Sequence, residues 1–287
     1  MKYLAQWAMQ NRLQATLAAA IAFAIPMLFW LGAALQALVL LRQPSRDSVP
    51  VILWSSLPAL AWLAAGDPTP VLVSAGAILT AQVLRYSVRL DWAILTAVIL
   101  GELIYWCLPL LLADVLPLVV SRSEVAVMEA LQSSPDLQAR LQPLVGPMIH
   151  GVLAALHTLV IILCLLLGRY WQSALYNPEG FGAEFRQLRL PLAFTLPAVL
   201  VVFAAGQLSP ELSGMVPVLT VAMMLAGLAV FHGVVHGTNA SPNWILPIYI
   251  GLIVFGPYMY TLLIFVAMLD SVFDIRMRLK DTASGDE

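Results

Sequence analysis

Charge is what this chain has least of. Of its 287 residues only 10% are Asp, Glu, Lys or Arg, while 61% are hydrophobic, for a mean hydropathy of +0.89. A soluble domain carries roughly 25% charged and 45–50% apolar residues. No water-soluble fold of this length hides such an excess, so that class is excluded. Lysine is nearly missing: Lys2 and Lys280 are the only two. The bias toward arginine fits a GC-rich bacterial genome. Cys107 and Cys164 stand alone in apolar runs with no C-x-x-C spacing, which argues against a disulfide framework and against a metal centre. The net charge of −2, with no basic patch interleaved with aromatics, gives no reason to expect nucleic acid as a partner. H-E-x-x-H, G-x-S-x-G and G-x-x-x-x-G-K-[ST] are all missing, so no catalytic residue is assigned and no built-in ATPase is expected. No cofactor or metal is expected either.

What is present is a series of uncharged runs. None of Asp, Glu, Lys or Arg falls between Arg12 and Arg42, Asp47 and Asp67, Asp67 and Arg85, Arg140 and Arg169, or Arg189 and Glu211, and 58 residues without any of them separate Glu211 from Asp270. A spanning helix takes about 20 mostly apolar residues, so the longest run holds two segments and a turn. Apolar segments fall at roughly 13–41, 49–65, 70–85, 92–112, 146–168, 191–207, 215–236 and 243–269. The expectation is an all-α, polytopic transmembrane bundle of about eight segments, one domain over 1–280, in a bacterial cytoplasmic membrane with lipid as its solvent. Helices are required because open strands leave backbone groups unsatisfied in lipid. The first run has no cleavage site after a short apolar core and reads as retained. Residues 281–287 read as a disordered tail.

Pro26 in the first segment, and Pro247, Gly251 and Gly256-Pro257 in the last, make each either one tilted helix or two half-helices that return to the side they entered from. Basic residues discriminate. With single spans throughout, seven fall on each side; with the first segment re-entrant, nine face five; with both broken, twelve face two. The positive-inside rule favours re-entry.

Two stretches lie outside the apolar runs. In 121–142, Val125, Met128, Leu131, Leu137 and Leu141 recur at helical spacing opposite Glu124, Glu129, Asp136 and Arg140, and Ser134-Pro135 breaks the run, so an amphipathic surface segment is expected. In 169–190, Arg169 follows an apolar run with Tyr170 and Trp171 at belt positions, and Asn177-Pro178-Glu179-Gly180 is turn chemistry. This reads as a cytoplasmic loop bearing Arg169, Glu184, Arg186 and Arg189.

Glu102 stands near the middle of the fourth segment, where a charge costs roughly 2.5–3.5 kcal/mol on insertion scales. It is a candidate ion or ligand group, or else a paired carboxyl facing the bundle, with Gln82, His157 and His232 as candidate partners. Asp114 reads as interfacial. His150 and His157 share one helix face, as do His232 and His236, and His157, His232 and His236 are read as bundle-lining candidates for a ligand or ion pathway, rather than metal-binding, because no acid or cysteine stands at ligand spacing. Asp270, Asp274, Arg276 and Arg278 are read as an ion-pair collar at the end of the last helix, with Asp274 and Arg278 as i, i+4 neighbours. Ala15 and Ala19, and Ala18 and Ala22, are four apart, a spacing that lets two helices approach closely.

Three passages, LVLLRQPSRDS (38–48), GRYWQSALYNPEGFGAEFRQLRLP (168–191) and AMLDSVFDIRMRL (267–279), resemble the YybS-like family of bacterial polytopic membrane proteins. That family is thought to be distantly similar to the substrate-binding subunits of energy-coupling-factor vitamin transporters and to the shape-determining membrane protein MreD. The resemblance implies a transport-related substrate-binding or coupling subunit, or alternatively a non-enzymatic envelope-assembly scaffold. The transporter subunits carry an Ala-x-x-x-Ala pattern on their first helix that docks a coupling protein. By that likeness Ala15, Ala18, Ala19 and Ala22 are candidate partner-docking residues.

Overall fold

The computed structural model describes residues 2–238 and 240–276. Arg278, Lys280 and the tail 281–287 lie outside them. The described residues form an all-helical bundle without strands: α1 (Lys2–Ala8), α2 (Arg12–Ala24), α3 (Phe29–Arg42), α4 (Ser45–Ser55), α5 (Leu57–Ala64), α6 (Thr69–Ser87), α7 (Leu90–Leu111), α8 (Leu116–Ala130), α9 (Pro135–Tyr176), α10 (Gly180–Gln187), α11 (Leu192–Leu208), α12 (Pro210–Gly237), α13 (Leu246–Val254) and α14 (Gly256–Phe273). Among them, five helices are long and apolar enough to cross a membrane: Ser45–Ala64 (α4 running on into α5), α7, α9, α12 and α14. A sixth is added if α10 and α11, bent by 55°, count as one.

The count falls below the eight expected segments because the first is broken into two short arms, α6 is not among the five and α11 counts only with α10; the last segment is broken too but keeps α14. Pro26 interrupts the first, and Met27 turns the chain at φ 65°. The result is α2 and α3 packed as a hairpin, Arg12 at its start and Arg42 at its finish. At about 1.5 Å per residue each arm is about 20 Å long, short of a hydrocarbon layer of about 30 Å. In the last segment α13 stops at Phe255, directly before Gly256-Pro257, and α14 sets off from there. Its first turns lie alongside the middle of α12, where the Tyr260 hydroxyl donates to Thr220 Oγ1 at 2.8 Å.

The α3 arm is the most enclosed part of the chain, with every residue from Gly32 to Leu40 buried. It packs between α2, α4, α6 and α9. The one polar residue of that stretch, Gln36, is fully satisfied: the amide donates to Ser55 Oγ and Ser56 Oγ, each at 2.9 Å, and accepts from Ser74 Oγ at 2.7 Å. A buried amide left unpaired costs about 1–3 kcal/mol, so three serines from two neighbouring helices fix how deep α3 sits.

The second half is built on α9 and α12, each against α7. Small residues set the spacing. A Cβ on Gly151 of α9 would strike the Gly214 carbonyl of α12, and one on Gly101 of α7 would strike Thr158 of α9. Such backbone approach is how helices associate where lipid competes with apolar burial.

Two expected extramembrane stretches are helical in the structure. The amphipathic stretch 121–142 divides: its first part completes α8, a turn holds 131–134, and its remainder opens α9. Gln138 Nε2 donates to the Met128 carbonyl at 2.7 Å and closes this α8–α9 hairpin. The stretch 169–190 is the last two turns of α9, a three-residue turn, α10 and a short extended end, rather than an open loop. The 42 residues of α9 extend about 63 Å, twice a hydrocarbon layer, so part of this helix projects beyond the bundle with α8.

Candidate functional site

One end of the bundle collects the chain's arginines. The hairpin α2–α3 begins and finishes there, α6 arrives and α7 leaves, α9 arrives, and α12 and α14 both stop there. Lys2 and Arg12, 42, 46, 85, 89, 169, 186, 189 and 276 cluster at this end, ten of the twelve basic residues described, with only Arg122 and Arg140 at the other.

These arginines hold the end together. Arg85 Nη1 donates to the Leu40 and Gln43 carbonyls at 2.9 and 2.8 Å, satisfying the last turn of α3. Gln172 Nε2 reaches the Leu41 carbonyl at 3.0 Å, and the Arg42 guanidinium lies 4.5 Å from the Tyr176 ring centroid. Arg12 pairs with Asp47. Arg89 pairs with Asp91 at 2.5 Å, and that hydrogen bond raises the Arg89 pKa further above its ordinary value. Buried Arg169 takes the Glu184 carboxylate in a two-pronged pair, with Nε to Oε2 at 2.8 Å and Nη2 to Oε1, which pins α10 across the end of α9. Ser173 Oγ donates to the Asn177 carbonyl at 2.7 Å and accepts from the Phe181 amide at 3.1 Å, so the turn is bonded to the helix it leaves.

Two ion pairs stand at the end of the last helix. Arg276 donates to Asp270 at 2.7 Å, and Asp274 pairs at 2.5 Å with Arg189, a residue 85 positions earlier in the chain. The expected Asp274–Arg278 neighbour pair lies partly outside the described residues. Two cavities flank α10 here. The larger, about 570 Å³, is bordered by Arg89, Asp91, Glu184, Arg189 and Ser271; the smaller, about 490 Å³, by Arg186, Arg189, Arg276, His236 and Asp274.

The sequence-derived candidates occupy two separate levels. Glu102 lies beside Gly101, level with Thr158 on α9 and Val218 on α12. Both its carboxylate oxygens are buried and have no hydrogen-bond partner among the described residues, so neither Gln82, His157 nor His232 serves it. His157, next to Thr158, shares this level; its Nδ1 faces the Leu153 carbonyl at 2.8 Å, and its Nε2 is buried without a partner. Ser213 Oγ on α12 is likewise buried and unpartnered. Three mutually packed helices thus each bring one unsatisfied polar group into the bundle. His232 is 14 residues beyond Val218 along α12, about 21 Å away, and lies toward the arginine-rich end. Its ring stands edge-on to Phe185 at 5.3 Å and to Tyr249 at 5.9 Å, with Nδ1 against the Leu228 carbonyl at 2.8 Å. His236 is one turn further, exposed at the rim of the smaller cavity. No group of three or more metal-binding side chains occurs among the described residues.

Ala15, Ala19 and Ala22 are packed inside the protomer and Ala18 is half-buried. Ala15 meets Val39 of α3 and Val51 of α4, and the Ala19 carbonyl lies against Gly32. This face of α2 is therefore occupied by the chain's own helices. The opposite face carries exposed Leu13, Leu17, Ile21 and Ile25.

The sequence reading missed Ser213, whose hydroxyl loses its partner only through packing, and the joining of Arg276 with Arg186 and Arg189, which lie about 90 residues away. Only charge spacing at helix ends hinted at the latter. The chain matches no family model, no curated protein and no solved structure.

Proposed function

We propose that this chain is a multi-pass protein of a bacterial cytoplasmic membrane and a transport-related substrate-binding or coupling subunit. In this reading six segments cross the bilayer (α4–α5, α6, α7, α9, α11 and α12), α6 being counted because it carries the chain from the Asp67 turn back to Arg85, and two broken hairpins, α2–α3 and α13–α14, enter and return, α14 being long enough to cross but setting off beside the middle of α12. The arginine-rich end faces the cytoplasm by the positive-inside rule. The observation that carries the transport reading is Glu102: a carboxyl in the middle of a spanning helix, turned into the bundle, with both oxygens unpartnered. An ionisable group at such a site is costly, and it is found where an ion, proton or ligand supplies the missing partner. Broken helices beside a packed bundle fit the same class of protein, as does the resemblance to the YybS-like family. Lacking a P-loop of its own, the subunit would draw energy from an ion gradient or a partner.

Two measurements test this. Mass spectrometry after gentle detergent extraction is expected to find a small molecule or coupling protein retained by the wild type, and the small molecule lost from Glu102→Gln at unchanged thermal stability. Equal retention by both proteins, or nothing retained by the wild type, sinks the transport reading. For orientation, cysteine at exposed Gln187, in a background without Cys107 and Cys164, is expected to resist an impermeant thiol reagent in intact cells, while cysteine at Gln132 reacts. The reverse pattern inverts the topology.

The projecting α8–α9 hairpin favours one alternative, a non-enzymatic envelope-assembly scaffold. Its exposed Leu118, Val119, Val125 and Leu137 would serve a protein partner outside the membrane. Recovery of envelope-synthesis proteins that disappear with Val125→Asp, and with no small molecule bound, selects that reading.

A further inference from the structure

The smaller cavity at the arginine-rich end is of a kind that the ion-pair collar does not explain. Three guanidinium groups converge on one space of about 490 Å³, from α10 (Arg186), the segment after it (Arg189) and the residues after α14 (Arg276), with His236 at the rim. Two of the three are fixed by the protein. Arg189 gives one nitrogen to Asp274 and the other to the Ser271 carbonyl at 3.0 Å. Arg276 gives one to Asp270 at 2.7 Å and the other to the Arg186 carbonyl at 2.6 Å. Each guanidinium carries five N–H donors, so both retain donors beyond those bonds, held in place. Their two aspartates balance their two charges. Arg186 has no acidic partner among the described residues, and its charge is left over. The wall at Gly233 is bare backbone: a Cβ there would meet the Arg276 side chain at 2.8 Å, so glycine keeps the third guanidinium in position.

Two oriented guanidinium groups and one unbalanced one suit an oxyanion with several acceptor oxygens, because the planar fork binds such groups with paired hydrogen bonds. The cavity opens beside the ends of α12 and α14, which in the proposed orientation is the level of the cytoplasmic lipid phosphates, and basic pockets between helices on that side hold phospholipid headgroups. We propose that Arg186, Arg189 and Arg276 form a binding site for a phosphate group, carried either by an anionic phospholipid or by a soluble phosphate compound. The site is independent of the Glu102 reading, about two-thirds of the way along α12 from that level, and stands if that reading fails.

The full chain, purified in neutral detergent and stripped of lipid, is titrated with phosphatidylglycerol, with phosphatidylcholine and with inorganic phosphate. Binding is followed by native mass spectrometry and thermal shift. Wild type is expected to bind phosphatidylglycerol or inorganic phosphate in preference to phosphatidylcholine: the first result identifies a lipid headgroup, the second a soluble source. Arg186→Gln is expected to weaken that binding by at least ~10-fold, the order of one charge-assisted hydrogen bond. It should leave folding intact, because the Arg276 bond goes to the Arg186 backbone carbonyl. Arg186→Lys should restore part of the affinity. Arg122→Gln, at the other end, should change nothing. The site is refuted if neither anionic probe binds, if phosphatidylcholine binds as well, if Arg186→Gln binds like wild type, or if Arg122→Gln is as harmful as Arg186→Gln.

Discussion

The two ends of the bundle are built from the same scarce charges in opposite ways. The arginine-rich end holds ten basic residues and six acids, and all five ion pairs among the described residues are there. The other end holds Arg122 and Arg140 against Asp67, Asp114, Glu124, Glu129, Asp136 and Glu211, with no ion pair among the described residues. The first end is fastened by side chains that join segments far apart in sequence: Arg12 to Asp47, Arg85 to α3, Arg169 to Glu184, Arg189 to Asp274. The second is fastened by close backbone approach, Gly151 against Gly214, by the Tyr105 hydroxyl donating to the Glu211 carbonyl at 3.0 Å, and beyond these by the α8–α9 hairpin. Rigidity and anion attraction thus belong to one end, and reach into the surroundings to the other.

Substitutions at each end sharpen that contrast. The largest effect is expected from Arg169→Ala. It strands Glu184 and frees α10, and a broken buried pair costs about 3–5 kcal/mol. Glu184 is about a third exposed, so screening brings this to about 2–3 kcal/mol. Thermal unfolding in detergent should show the loss, and limited proteolysis should cut first near α10. If Arg169→Ala unfolds like wild type, the ion pairs are ornaments of charge bias and the contrast between the ends fails.

At the other end, Gly151→Ala pushes a methyl into the Gly214 carbonyl, an overpacking worth about 1–3 kcal/mol. An unchanged melting temperature would mean that α9 and α12 stand further apart than described. A smaller effect of opposite sign is expected at Val88, a β-branched residue held at φ 54° between α6 and α7. Val88→Gly relieves a left-handed conformation and should stabilise by about 1 kcal/mol. Any destabilisation there would show that Val88 is not strained. The smallest effect belongs to exposed Arg122: Arg122→Gln should leave stability within about 0.5 kcal/mol and orientation unchanged. A large change would reveal a fastening role for charge at the acidic end as well.

The sequence by itself determined the solvent and the secondary structure. Uncharged runs of this length fit only in lipid, and only helices satisfy their backbone there. Breaks at Pro26 and Gly256-Pro257 were legible too, since proline and glycine interrupt a helix locally. The gathering of arginines at one end was legible as charge arithmetic, because it follows once the first and last apolar segments return to the side they entered from while the other six cross. What only the tertiary structure decided is which groups meet. Glu102 was visible as an oddity, but its lack of a partner depends on how α7, α9 and α12 pack. The alanine stripe of α2 was visible as a surface that favours close approach, yet α3 and α4, rather than another protein, cover Ala15, Ala19 and Ala22. Arg278, four residues beyond Asp274, lies outside the described residues; the pairing of Asp274 with Arg189, 85 positions earlier, is one that local spacing does not show. Local spacing specifies which face of a helix is small, apolar or charged, but the free energy of pairing two such faces depends on side chains that can be a hundred residues apart, and no single segment encodes it.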